Sequence, residues 1–388
     1  MKLSIRRAAV VGAGLTLSLG LLAPAVSAVD TSATPTTSDP ATSDWDALLP
    51  DDWAARRDAA AARLGIESSP ATEALQRVIN PDDYECGPTD LDAYVDGLLA
   101  GMTNDQILFL VLSGVLDFPT YDALIFGRDT DPTYDLSIQS TTLHHTFRDV
   151  KRFWDVESSD IQLHAMHGDM LLDTDRVSRL LVAFYGFTEA DADAYAAAVA
   201  DVIASVPAFD GGNNPIFTLN AFAFTGEGES DPLLTSVPDK LIFGDGIMDA
   251  LSFMDIADVG PRVVMGHEFG HHVQFEDNLF DSPLTGPEAT RRTELMADAF
   301  ATYFGVHARG LALNAKRVLD TEKAFFAVGD CAFDNPGHHG TPNQRMRSAV
   351  WAADLAADAR PQGRILPSLT FADLFDAKLP ELVAPDAG

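Results

Sequence analysis

Residues 260–274 read Gly260-Pro261-Arg262-Val263-Val264-Met265-Gly266-His267-Glu268-Phe269-Gly270-His271-His272-Val273-Gln274, and the rest of the chain is read outward from them. Pro261 suits a first helical position, where its missing N–H costs nothing, so the run opens a helix. Val263, Val264, Met265, Phe269 and Val273 supply that helix with apolar residues to bury. His267 and His271, four residues apart, share one helical face with Glu268 beside them. Buried imidazoles need partners for their ring nitrogens, so either protein acceptors or a cation must take them up. Two neutral imidazoles one turn apart fill two of the four positions of a Zn²⁺ ion, and the glutamate between them reaches toward water in an open position. The spacing points to metal-assisted hydrolysis of an amide, with His267 and His271 as ligands and Glu268 as general base.

Such a site needs a third protein ligand. Downstream, Arg291-Arg292-Thr293-Glu294-Leu295-Met296-Ala297-Asp298-Ala299-Phe300-Ala301 is strongly helical, and Glu294 and Asp298 fall on one face. Glu294 is expected to bind the metal, and Asp298 to accept a hydrogen bond from a ligand histidine and fix its tautomer. The plainer reading pairs Glu294 with Arg291 on an exposed helix. Asp277, six residues after His271, is an alternative ligand at metzincin spacing. It is the weaker choice, because Gln274 stands where those enzymes use glycine to bend the chain back.

The run Gly266 to Gln274, the run Glu294 to Ala301 and a third block, His339-Gly340-Thr341-Pro342-Asn343-Gln344-Arg345, together resemble the bacterial neutral zinc metallopeptidase family. The likeness covers about residues 216 to 352, and its first block is the most specific. It implies a gluzincin arrangement: His267, His271 and Glu294 on Zn²⁺ and Glu268 as base. It departs from the family at Ala299, where a cysteine that is not a ligand is common. His339 and Arg345, in the third block, lead the candidates for the donor that steadies the tetrahedral oxyanion, ahead of His338 and Tyr303. Ile216 to Phe224 and Lys240 to Phe243 read as strands, being rich in β-branched and aromatic residues between Gly, Asn and Pro. The Asn220 to Phe224 run is also similar to a strand of prenyl-protein-peptidase-like gluzincins, where an extended substrate adds beside the sheet.

Lys2, Arg6 and Arg7 precede an apolar run, Ala8 to Leu22, with small residues at Val26-Ser27-Ala28, so residues 1–28 read as a secretory signal peptide. Residues 29–46, dominated by Thr, Ser, Pro, Ala and Asp, read as a disordered linker. In an exported chain the two cysteines, Cys86 and Cys331, are expected to pair as a disulfide. The formal net charge of −32 disfavours nucleic acid and anionic membranes as partners; the zinc-peptidase spacing points to a protein or peptide substrate, with protein, short peptide and the peptide stem of a cell-wall polymer left open. No stable membrane insertion is expected once the signal is removed, because Ile107 to Leu116 is far too short to span a bilayer.

Residues 47–207 read as a mainly helical region, with a capping box at Thr103 to Gln106 and a helix from Thr188 to about Ser205. Within it His164 and His167, preceded by His144-His145, are read as hydrogen-bonding residues rather than a second metal site, for want of a third ligand. Residues 208–388 are expected to form a zincin-like core of α+β class, a small sheet plus the active-site helix. Together these features point to a secreted zinc metallopeptidase; the alternative is a noncatalytic extracellular binding module stabilised by zinc, in which Glu268 has no purpose.

Overall fold

A computed structural model describes residues 45–64, 89–327, 329, 338–359 and 363–385. Helices α1 (Trp53–Leu64), α2 (Asp90–Leu99), α3 (Asn104–Leu112), α4 (Phe118–Phe126) and α5 (Ser140–Val150) precede strand β1 (Gln162–Met166). Then come α6 (Thr174–Tyr185), α7 (Glu189–Ser205), β2 (Ala221–Phe224) and β3 (Lys240–Gly244). The chain continues through α8 (Asp245–Phe253), α9 (Gly260–Glu276), α10 (Pro287–Val306), α11 (Ala315–Ala327), α12 (Pro342–Ala359) and α13 (Ser368–Leu382). The class is α+β: many helices around one small mixed sheet in the order β1-β3-β2. β1 runs parallel to β3 with Gln162 opposite Lys240, and β2 runs antiparallel to it with Phe222 opposite Ile242.

The sheet crosses the boundary expected at residue 207, because β1 comes from the region read as helical and pairs with β3 beyond it. The Ile216 to Phe224 run is also only half a strand. Pro215 and an Asn214 side chain that accepts from the Ile216 amide turn residues 215–218 into a 3₁₀ segment, and extended pairing begins at Ala221. Local turn chemistry overrides β-propensity there. Of the expected linker, residues 29–44 lie outside the described residues, whereas Trp45 is buried edge-on to Phe109, 5.2 Å between ring centroids. The signal peptide, Cys86 and Cys331 also lie outside the described residues. Among the described residues no single helix is long and apolar enough to cross a membrane.

β3 is buried along its whole length, including Lys240. Its ammonium donates to Ala123 O (3.1 Å), Leu124 O (2.5 Å) and Gly127 O (2.8 Å), so a lysine on the central strand caps the end of α4. Burial pushes that ammonium down to about 7. On the other flank α9 packs against β2, and the buried His272 donates through Nε2 to Lys240 O (3.1 Å). The third histidine of the opening run thus ties the helix to the sheet. The next contact is with α10. A Cβ on Gly266 would lie 3.1 Å from Ala301 Cα, and one on Gly270 would lie 3.1 Å from Ala297 Cα. Two glycines one turn apart face two alanines one turn apart, and this seam of small residues lets the helix axes approach closely. α12 packs on the far side of α10.

Candidate metal centre

The close pairing of α9 and α10 brings three side chains to one point. His267 Nε2 and His271 Nε2 are 3.1 Å apart, and the Glu294 carboxylate lies 3.3 Å from the first and 3.2 Å from the second. Ligand atoms bound at about 2.0–2.1 Å in a tetrahedron lie about 3.3–3.4 Å apart, and the observed separations, with the two to Glu294 made to different carboxylate oxygens, are close to that span. Among the described residues this is the one group of three histidine, cysteine or acidic side chains close enough to share an ion.

The outer nitrogens of both rings are already committed. His267 Nδ1 donates to Asp298 Oδ1 at 2.9 Å, since a carboxylate only accepts. Gln274 donates through Nε2 to Thr293 O (2.7 Å), so its Oε1 is the atom facing His271 Nδ1 (3.0 Å), which must donate. Two neutral rings so held turn both Nε2 lone pairs toward each other and toward a carboxylate. That arrangement of acceptors is repulsive unless a proton or a metal ion sits among them, and with both rings neutral the residues fit a bound divalent metal. The proton affinities carry the same signature. Burial by itself would lower His267, but the carboxylates of Asp298 and Glu294 outweigh it and lift the ring to about 10. His271 is also raised, by Glu294 against its burial. For Glu294, burial works upward and the two imidazoles win, holding it well below the usual carboxylate range.

Asp298, completely buried, is itself clamped. Arg345 at the start of α12 donates through Nε to Oδ2 (2.8 Å) and through Nη2 to Oδ1 (2.7 Å), and Nη2 also lies 3.6 Å from Glu294. The oxyanion role expected of Arg345 is therefore corrected: its planar fork is engaged behind the ring of His267, and it orients a ligand. Phe325 of α11 packs against both His267 and Arg345. Tyr303 is core rather than site, its hydroxyl accepting from the Leu366 amide within a cluster of Phe153, Trp154 and Phe371. His339 is half-buried on the loop leading into α12 and stands outside the converging group. Asp277, the alternative ligand, caps the end of α9, where its carboxyl meets Ser368, and it too lies outside that group.

Glu268 is buried, yet among the described residues its carboxylate makes no hydrogen bond. Burial raises its pKa, while the fields of His267 and His271 oppose the rise, so it stands beside the ligand imidazoles as a carboxylate made more basic. Of the histidines expected to hydrogen-bond, His144, His164 and His167 have protein partners. His164 meets Gln162 (3.1 Å) on β1, and burial pushes it down to about 4. His167 uses both ring nitrogens, on Asp245 (3.0 Å) and on Asp135 O (3.0 Å), and His144 meets Ser140 O (2.8 Å). These are the hydrogen-bonding roles expected of them.

The sequence reading passed over two contributors. Gln274 was read only as a missing glycine, although its spacing of three from His271 on a helix signalled contact. Gly266 and Gly270 flank the histidines, and glycine repeated at a four-residue interval inside a helix signals close helix approach. Comparison with protein-family models, curated proteins and solved structures returns no match.

Proposed function

We propose that this chain is a secreted zinc metallopeptidase of zincin-like architecture, acting on protein or peptide substrates. The observation that carries the reading is the meeting of His267, His271 and Glu294 within reach of one ion beside the buried Glu268 carboxylate. Two nitrogens and one oxygen at those spacings suit zinc, whereas calcium and magnesium take all-oxygen shells. A zinc ion held by these residues supplies a Lewis acid for the substrate carbonyl and makes water acidic enough to react near neutrality.

The chain's own residues supply the rest. Glu268, raised by burial, takes the proton of the attacking water and later passes it to the leaving amine. Asp298 keeps His267 in the tautomer whose Nε2 lone pair faces the metal position, and Arg345 holds Asp298 in place through two hydrogen bonds. The resemblance of the three sequence blocks to neutral zinc metallopeptidases supports the same reading, and the apolar N-terminal run supports export.

The test is Glu268→Gln, compared with wild type for bound zinc and for cleavage of a broad peptide library. Wild type should cut, and the variant should keep its zinc and lose cleavage. A wild type that binds zinc and cuts nothing would favour the noncatalytic binding module instead.

A further inference from the structure

We propose that Gln274 is a positioning residue that holds His271 in its metal-binding tautomer and does so without adding charge to the centre. The inference rests on the proposed zinc site and assigns a function to a residue outside the ligand set.

Gln274 is completely buried, and both ends of its amide are used. Oε1 accepts from His271 Nδ1 at 3.0 Å, and Nε2 donates to Thr293 O at 2.7 Å. The second bond decides the first. An amide can present either end to a ring nitrogen, but the Thr293 carbonyl only accepts, so the NH₂ group is drawn to it and the oxygen is left facing the imidazole. His271 must then carry its proton on Nδ1, which frees Nε2 for a metal. Thr293 immediately precedes Glu294, so one side chain orients a histidine on α9 by reference to the helix that carries the third ligand.

Charge explains the choice of an amide. His267 leans on an anion, Asp298, whose charge Arg345 balances through two hydrogen bonds. Among the described residues no guanidinium is hydrogen-bonded to the Gln274 side chain, the nearby Arg292 being paired with Asp376 and Leu279 O, so an acid here would add a negative charge next to Glu294 and Glu268 without a cation bonded to it. A neutral acceptor fixes the ring and leaves the positive charge of the metal undiminished.

Two variants separate acceptor from packing. Gln274→Leu keeps the volume and removes both bonds, whereas Gln274→Glu keeps an acceptor for Nδ1–H and loses the donor to Thr293. Zn²⁺ affinity is measured by chelator competition, and the His271 ring protons are followed by ¹H–¹⁵N NMR of the zinc-loaded chain. Gln274→Leu should bind zinc roughly 10–100-fold more weakly and lose the protected Nδ1 proton. Gln274→Glu should keep the protected Nδ1 proton but bind zinc more weakly than wild type, because the added charge has no cation bonded to it. If Gln274→Leu binds zinc within twofold of wild type, or Gln274→Glu loses the Nδ1 proton as Gln274→Leu does, or Gln274→Glu binds zinc as tightly as wild type, the assignment is overturned while the zinc site stands. A wild type that takes up no zinc would overturn the site and this role together. Should the leucine variant not fold, the NMR signature and affinity of Gln274→Glu against wild type carry the same test.

Discussion

Replacing Gly270 by alanine adds one methyl group at one of the two glycines where α9 lies close against α10. Its Cβ would stand 3.1 Å from Ala297 Cα, 3.2 Å from Ala297 O and 3.3 Å from Phe300 Cβ, against an optimal carbon–carbon contact of about 3.5–4.0 Å. The partners are backbone atoms and a Cβ, which cannot swing away, so the helices must part by a few tenths of an ångström. Two energies then oppose each other. Alanine gains about 1 kcal/mol over glycine in a helix interior, and overpacking costs about 1–3 kcal/mol, leaving a net loss of roughly 0–2 kcal/mol in the zinc-free protein. The metal centre is less forgiving. Its histidine-to-Glu294 separations are 3.2–3.3 Å across this same seam, and metal–ligand distances tolerate only about ±0.2 Å. Zinc affinity by chelator competition should fall by about tenfold or more, out of proportion to the change in urea unfolding of the zinc-free chain. Gly97→Ala in α2 is the control, since nothing lies within 4 Å of its added Cβ; it should stabilise slightly and leave zinc binding alone. Unaltered zinc affinity in Gly270→Ala would refute the idea that the glycine–alanine seam sets the ligand geometry.

Arg345→Met leaves Asp298 buried without its cation, so unfolding should show a loss of about 3–5 kcal/mol together with weaker zinc binding. If the variant lost zinc alone, Arg345 would belong to the chemistry rather than behind it. Protons and zinc should compete. Because His267 is raised to about 10, the metal-free ring is protonated at neutral pH, and calorimetry in buffers of different ionisation enthalpy should find protons released as zinc binds, with affinity falling as pH falls. Without metal the sign for stability is opposite to that of a depressed carboxylate. The raised His267 contributes stability that is full below the unfolded value near 6.5 and is lost as pH rises through about 10. A zinc affinity indifferent to pH between 6 and 9 would contradict the ligand set.

The parts of this centre that are local in sequence were legible there. Helix α9 announced itself through Pro261 and the spacing of its histidines, and Glu294 and Asp298 showed their shared face through an interval of four. What stayed hidden depends on contacts between distant segments. β1 carries His164, with His167 just past its end, in a run without strand alternation, and only its pairing with β3, some eighty residues on, makes it extended. Arg345 could be nominated from its block but not aimed, because whether a guanidinium faces substrate or Asp298 is decided by how α12 lies on α10. The Thr293 carbonyl that orients Gln274 belongs to a different helix and has no trace in the sequence around position 274.

X-ray absorption at the zinc edge, on chain purified without added chelator, examines the coordination itself. One zinc per chain is expected, with two imidazole nitrogens at about 2.0–2.1 Å and a carboxylate oxygen at about 2.0–2.2 Å, and Glu294→Ala should abolish the signal. A chain with no stoichiometric zinc, a sulfur shell near 2.3 Å, or a spectrum unchanged by Glu294→Ala would contradict the joining of His267, His271 and Glu294 on one metal.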